Sequence, residues 1–159
     1  MVKYPTKIYA LVAAPNGRHL YAGCEARWEA RIDEQCSDFT VKVLSVKTGD
    51  VLAEFRGHTR AVVALALSPD GTTLYSGSED KTVKAWNVVG CTKFLSESQT
   101  FVGHTSEVMT VAVSSCRVYS GGLAYDPTSS PLVISIPKSR SGRWFFPYRT
   151  AVNTVNFLP

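Results

Sequence analysis

One stretch constrains this chain more than any other: residues 57 to 88, GHTRAVVALALSPDGTTLYSGSEDKTVKAWNV, of which the flanking segments read as weaker copies. Ala61 to Leu67 is seven apolar residues in a row, too short for a stable isolated helix and bounded by turn formers, so it reads as a strand buried on both faces. Ser68-Pro69-Asp70-Gly71 reverses the chain, with proline presetting φ and glycine permitting the reversal. Thr73 to Ser76 forms a second strand, and Gly77 allows close approach of neighbouring backbone. A second tight turn begins at Asp80, and Thr82 to Val88 alternates up to the ring of Trp86. Three antiparallel strands of this length bury too little to stand alone, so the unit requires copies of itself.

The Gly57-His58 start, the Ser-Pro-Asp-Gly turn, the Ser76-Gly77-Ser78-x-Asp80 run and the closing Trp86 stand at the spacing of the WD-repeat family of β-propellers, which this chain resembles. The closing pair is Trp86-Asn87 where that family usually has Trp-Asp. The resemblance implies four-stranded blades repeated radially about a channel. The expected fold class is therefore all-β: a propeller arc of about three blades plus the first strand of a fourth.

Copies are found on both sides. Ile8 to Tyr21 lies over Val62 to Tyr75 without a gap, placing Pro15 on Pro69 and Gly17 on Gly71. That alignment makes the apolar run near the N-terminus a strand rather than a signal peptide. Blade one is expected over about 1–56, with its third strand in Asp38 to Val46, where Leu44 takes the place of Trp86, and its fourth in Val51 to Phe55. It carries an extra segment after Glu25, ARWEARIDEQCS, whose composition suits a short helix. Blade two is expected over about 57–102, with a fourth strand between Thr92 and Val102. The next Gly-His pair, Gly103-His104, follows Gly57-His58 by 46 residues, within the usual period of the repeat.

Blade three, expected over about 103–150, starts with Val108 to Val113, turns at Ser114-Ser115-Cys116-Arg117, and repeats Leu74-Tyr75-Ser76-Gly77 as Val118-Tyr119-Ser120-Gly121. A long loop, Gly122 to Pro131, precedes a third strand in Leu132 to Ile136, and the outer strand falls in the aromatic run from Trp144 to Tyr148. Residues 151–159, AVNTVNFLP, match Ala61 to Pro69 position for position and are expected to begin a fourth blade. Three blades and one strand do not close a ring. Open sheet edges invite pairing, so the remaining blades are expected from a longer parent chain or from a second chain, in preference to unusual packing that covers the edges.

Among chemistry-bearing residues, His58, Ser76 and Asp80 are the elements of a nucleophilic triad. The resemblance implies a different use, a buried hydrogen-bonded tetrad of His58, Ser76, Asp80 and Trp86. Partial versions remain as His104 and Ser120 in blade three, with Asp126 a poor fit, and as Asp38 in blade one. There is no phosphate-binding glycine loop, no Gly-x-Ser-x-Gly elbow and no Cys-x-x-Cys pair. No enzyme activity, no cofactor and no metal are expected. The four dispersed cysteines suit reduced thiols in an intracellular, chiefly cytoplasmic protein, and no apolar run reaches membrane-spanning length.

Function is then expected on the loops, as a non-catalytic scaffold binding protein partners in a multiprotein complex. Trp28, flanked by Arg27 and Arg31 in the charged insertion, is the candidate anchor, against the plainer role of packing that insertion onto its own blade. Lys138, Arg140, Arg143 and Arg149, interleaved with Trp144, Phe145, Phe146 and Tyr148, suit phosphate contact and base stacking. RNA binding is the alternative function. The surplus of 17 basic over 13 acidic residues, a formal charge of +4, fits either reading and is common in proteins that bind no acidic partner.

Overall fold

The computed structural model describes residues 7–25, 39–89, 94–95, 99–115, 117–122 and 133–137. All regular structure among these residues is strand. The first sheet contains β1 (Lys7–Ala13), β2 (His19–Glu25), β3 (Val41–Ser45) and β4 (Val51–Phe55). The second contains β5 (Val62–Leu67), β6 (Thr73–Ser78) and β7 (Val83–Asn87). Two short strands follow, β8 (Phe94–Leu95) and β9 (Gln99–Phe101), and the third sheet has β10 (Val108–Val113), β11 (Arg117–Gly122) and β12 (Val133–Pro137).

Within each sheet the strands meander antiparallel in chain order, β1-β2-β3-β4, β5-β6-β7-β9 and β10-β11-β12. The three sheets are one structure repeated. Each first–second strand pair shifts register at the same place, between Ile8 and Ala10, Val62 and Ala64, and Val108 and Thr110. A bulge of this kind adds a residue to one strand and bends it, the same way in each blade. The Gly-His starts also repeat: Gly57 and Gly103 have φ of 154° and 151°, a conformation that residues with a Cβ rarely adopt.

One core lies on each side of the middle blade. Between blades one and two, Tyr21, Val41, Val43 and Phe55 pack against Val62, Leu74 and Trp86. Between blades two and three, Tyr75, Val83, Ala85 and Phe101 pack against Val108, Val111 and Val118. Blade two is buried on both faces, whereas its neighbours have one covered face each among the described residues. The tyrosines that share one position on the second strand record this: Tyr21 and Tyr75 are 3% and 0% exposed, while Tyr119 is 38% exposed. On the opposite end Leu11, the counterpart of the half-buried Leu65, is 58% exposed.

Gly77 permits close approach, but of side chains rather than backbone. A Cβ there would come within 2.8 Å of Val108 Cγ1 and 2.9 Å of Val111 Cγ2 in the next blade. The corresponding Gly23 does meet backbone, at 2.7 Å from the Val62 carbonyl oxygen. The fourth strand of blade two falls within Thr92 to Val102, as expected, and takes up only part of that range. Only β9 joins blade two, whereas β8 pairs in parallel with β4 of blade one, Glu54 opposite Phe94 and Phe55 opposite Leu95. The outer edge of blade one is thus capped by the chain leaving blade two, which covers part of an otherwise open edge.

Candidate functional site

The tight turn after β6 delivers Asp80 beside the loop that starts blade two. Asp80 N–H donates to Ser78 Oγ at 3.1 Å, Lys81 takes a left-handed φ of 70°, and Lys81 N–H closes the turn on the Ser78 carbonyl at 3.1 Å. The structure brings four expected residues together. His58 Nδ1 lies 2.6 Å from Asp80 Oδ2, and His58 Nε2 lies 2.7 Å from Ser76 Oγ. Trp86 Nε1–H donates to the same Ser76 oxygen at 2.8 Å. Ser76 and Trp86 are fully buried and the His58 side chain is 1% exposed.

Asp80 carries more partners than sequence reasoning assigned to it. Oδ2 also accepts the Thr59 N–H at 3.1 Å, while Oδ1 accepts the Thr82 N–H at 3.0 Å and the Thr82 hydroxyl at 2.6 Å. Burial by itself would raise the Asp80 carboxyl; the His58 hydrogen bond and charge, with the Thr82 and Thr59 donors, outweigh it and hold the carboxyl well below its usual range. An Asp followed two residues later by Thr is the sequence signal that could have found this pairing, as a side chain bonding the backbone two residues on.

An Asp–His–Ser relay is therefore present in outline, and its surroundings decide its chemistry. A nucleophilic serine must reach a substrate carbonyl with its oxygen available. Ser76 Oγ is walled in and already shared between His58 and Trp86. What the arrangement does is satisfy buried polar groups while tying the entry loop of the blade to its second and third strands. Trp86 then spans the blades, its ring 5.4 Å from that of Phe55 in blade one.

Blade three has half of this network. His104 Nε2 lies 2.7 Å from Ser120 Oγ, but the buried His104 Nδ1 has no hydrogen-bond partner among the described residues. Burial lowers the affinity of this imidazole for a proton. In blade one Ala22 replaces Ser76, and the Thr40 hydroxyl, at the place of Thr82, is buried with no hydrogen-bond partner among the described residues. Asp38, Asp126, the insertion with Arg27, Trp28 and Arg31, the basic-aromatic residues Lys138, Arg140, Arg143, Trp144 and Arg149, and the expected fourth-blade strand lie outside the described residues.

Two features escaped sequence reasoning. Lys42 and Lys84 share one position on the third strands and are each 7% exposed. Lys42 Nζ reaches Glu54 Oε1 at 2.8 Å, and Lys84 Nζ reaches Thr100 Oγ1 at 2.8 Å on the neighbouring outer strand. The hydrogen bond from Lys42 outweighs the effect of burial and, with Arg56, lowers the Glu54 carboxyl. No group of three or more metal-ligating side chains occurs among the described residues, and no helix long and apolar enough to cross a membrane occurs among them.

Comparison with known proteins agrees with this construction. The family described as "WD domain, G-beta repeat" matches residues 49–87. The chain is 30% identical over 86 residues to the Pre-rRNA-processing protein IPI3 of Mycosarcoma maydis, covering 54% of this chain and 13% of that protein. It is 41% identical over 51 residues to WD repeat-containing protein 82 of Drosophila melanogaster, covering 32% of this chain and 16% of that protein. It thus spans a small part of the curated relatives it matches. Among solved structures, the RRP9 WD40 repeats superpose over 91% of this chain and 39% of theirs, with a TM-score of 0.66 at 21% identity. The structure of U3-55K gives 0.67 over 91% and 40%, also at 21% identity. A WD repeat is thus matched over residues 49–87, and the fold of WD40 repeat structures along nearly the whole chain.

Proposed function

We propose that the chain is a non-catalytic protein-interaction scaffold, a WD-repeat propeller or part of one acting within a multiprotein complex. The observation that carries this reading is the enclosure of the Asp80–His58–Ser76 relay, whose serine oxygen is shared internally and has no route to a substrate. The blade spends its reactive groups on holding itself together, and its loops and faces are left to meet partners. The similarity to one relative named for pre-rRNA processing, and to the Drosophila protein groucho, 34% identical over 80 residues, supports a role in assemblies without naming a partner here. An intracellular, chiefly cytoplasmic setting accompanies the proposal, as do blades supplied by the same or another chain.

The insertion carrying Arg27, Trp28 and Arg31 is the proposed contact surface, with Trp28 as its aromatic anchor. Replacing Trp28 with Ala is expected to reduce recovery of co-purifying protein by about tenfold or more, a hot-spot loss, with the melting temperature unchanged. Unchanged recovery would exclude Trp28 as the anchor. The second reading rests on the alternation of Lys138, Arg140, Arg143 and Arg149 with Trp144 and its aromatic neighbours. RNA retained on a filter at low salt and released at high salt would favour it, and the absence of retention would remove it.

A further inference from the structure

The entry loops of blades two and three are built alike up to the point where blade two brings in its aspartate. Gly57-His58-Thr59 and Gly103-His104-Thr105 share one sequence, their glycines take φ of 154° and 151°, and each histidine reaches a second-strand serine at 2.7 Å. Those serines hold one register position, Ser76 opposite Leu65 and Ser120 opposite Val111. In blade two the other end of the loop grips a carboxylate oxygen with two groups: Asp80 Oδ2 lies 2.6 Å from His58 Nδ1 and accepts the Thr59 N–H at 3.1 Å. Counted from the glycine after each serine, Gly77 and Gly121, the place of Asp80 falls on Ala124 in blade three.

Blade three keeps both gripping groups. His104 is 8% exposed and its Nδ1 is buried with no hydrogen-bond partner among the described residues, where the Thr105 N–H also donates to no acceptor. Burial favours the neutral ring. When the Ser120 hydroxyl donates to Nε2, Nδ1 carries the one ring proton and becomes a buried donor, which is costly to leave unpaired. Gly122, at the place of Ser78, puts no side chain beside that nitrogen; a Cβ there would be 3.3 Å from Nδ1 and 3.1 Å from Ser106 Oγ. Glu107, the acidic residue nearest in sequence, makes no hydrogen bond to it. Thr105 is exposed, so the two donors lie where the buried pair meets the surface of the loop.

We infer that His104 Nδ1 and the Thr105 N–H form a binding site for the carboxylate of an aspartate or glutamate side chain on a protein partner, held as Asp80 is held in blade two. The chain itself supplies the precedent that selects a carboxylate: the same two groups, on the same loop and at the same distance from the serine, hold one. Hydrogen bonds to an ionised acceptor are stronger than neutral ones, and a low-dielectric setting strengthens them further. Taking the carboxylate from a protein partner rests on the scaffold reading; the donor pair does not.

Acetate reproduces the end of an aspartate side chain, and the test is its titration into the full chain at fixed pH and ionic strength, with the Thr105 amide and the His104 ring followed by NMR. A saturable shift at both is expected, with a dissociation constant on the order of 10 mM for so small a probe. Thr59 and His58, already bonded to Asp80, should stay still in the same sample. Acetamide should bind at least about tenfold more weakly, having no charge to strengthen the bonds. Ala124→Asp, which supplies a carboxylate from the place of Asp80, should abolish the acetate shift, and Asp126→Asn should leave it unchanged. No saturable shift in the unaltered chain, equal binding of acetamide, or an undiminished shift in Ala124→Asp would overturn the inference. So would acetate binding that appears only in Asp126→Asn, because the chain's own acid would then be the partner of His104. The titration reads blade three alone, so its failure leaves the Trp28 pull-down standing, and failure of the pull-down leaves the titration standing.

Discussion

Blades two and three carry the same histidine–serine pair at the same spacing between atoms, 2.7 Å in each, yet only blade two extends it at both ends. In blade two the histidine's other nitrogen reaches Asp80 and the serine also accepts from Trp86; in blade three the histidine's other nitrogen is buried with no hydrogen-bond partner among the described residues. The pair alone is thus the minimum that ties an entry loop to a second strand. What the complete network adds is satisfaction of every polar group it buries, and with it an indole large enough to reach the neighbouring blade.

The sharpest way to break this comparison is to remove the indole. Trp86→Ala leaves a large cavity in the core shared with blade one and is expected to cost about 3 to 5 kcal/mol in denaturant unfolding. Leu44→Ala, at the same position of blade one but half-buried, should cost less than half of that. Equal losses would mean that blade two is not the stable centre of the arc.

A smaller and cleaner contrast compares the two serines by one substitution. Ser76→Ala strands both His58 Nε2 and Trp86 Nε1, whereas Ser120→Ala strands His104 Nε2. At about 1 to 3 kcal/mol per buried group left unpaired, the first should cost about twice the second, measured by thermal or urea unfolding.

The smallest effect is read in the pH dependence of stability, through His104 and Asp80. His104 has a folded-state pKa below its ordinary value of 6.5, so the unfolded chain takes up the proton first. Its contribution is complete above about pH 6.5 and is lost as pH falls towards the folded value. Asp80 is also depressed, so the stability it contributes persists until pH falls below about 4. Stability followed across pH 7 to 3 should show both declines, and His104→Gln should flatten the first while leaving the second.

Much of the fold was legible because its signals are local. The Val51 to Phe55 and Val108 to Val113 strands fall where alternation and turn residues placed them, and the register of β2 on β3 sets Leu20 opposite Leu44 as Leu74 is opposite Trp86. The tetrad was legible through the resemblance rather than through spacing, since nothing local joins His58 to Asp80 across 22 residues. The second half of Asp80's hydrogen bonding and the parallel strand β8 were not read, because a two-residue strand has no periodicity of its own and takes its partner from whatever edge lies beside it.

By itself the sequence determined the repeat: strands from apolar alternation, reversals from Pro-Asp-Gly and its relatives, and the Gly-His entry whose glycine adopts a backbone closed to most residues. Only the tertiary structure decided what becomes of identical residues in different blades. Tyr75 is buried and Tyr119 exposed because a neighbouring sheet covers one and not the other. Ser76 resembles a nucleophile in the sequence and is enclosed in the fold, because burial and hydrogen bonding are set by what packs against a residue, and that neighbour comes from another blade.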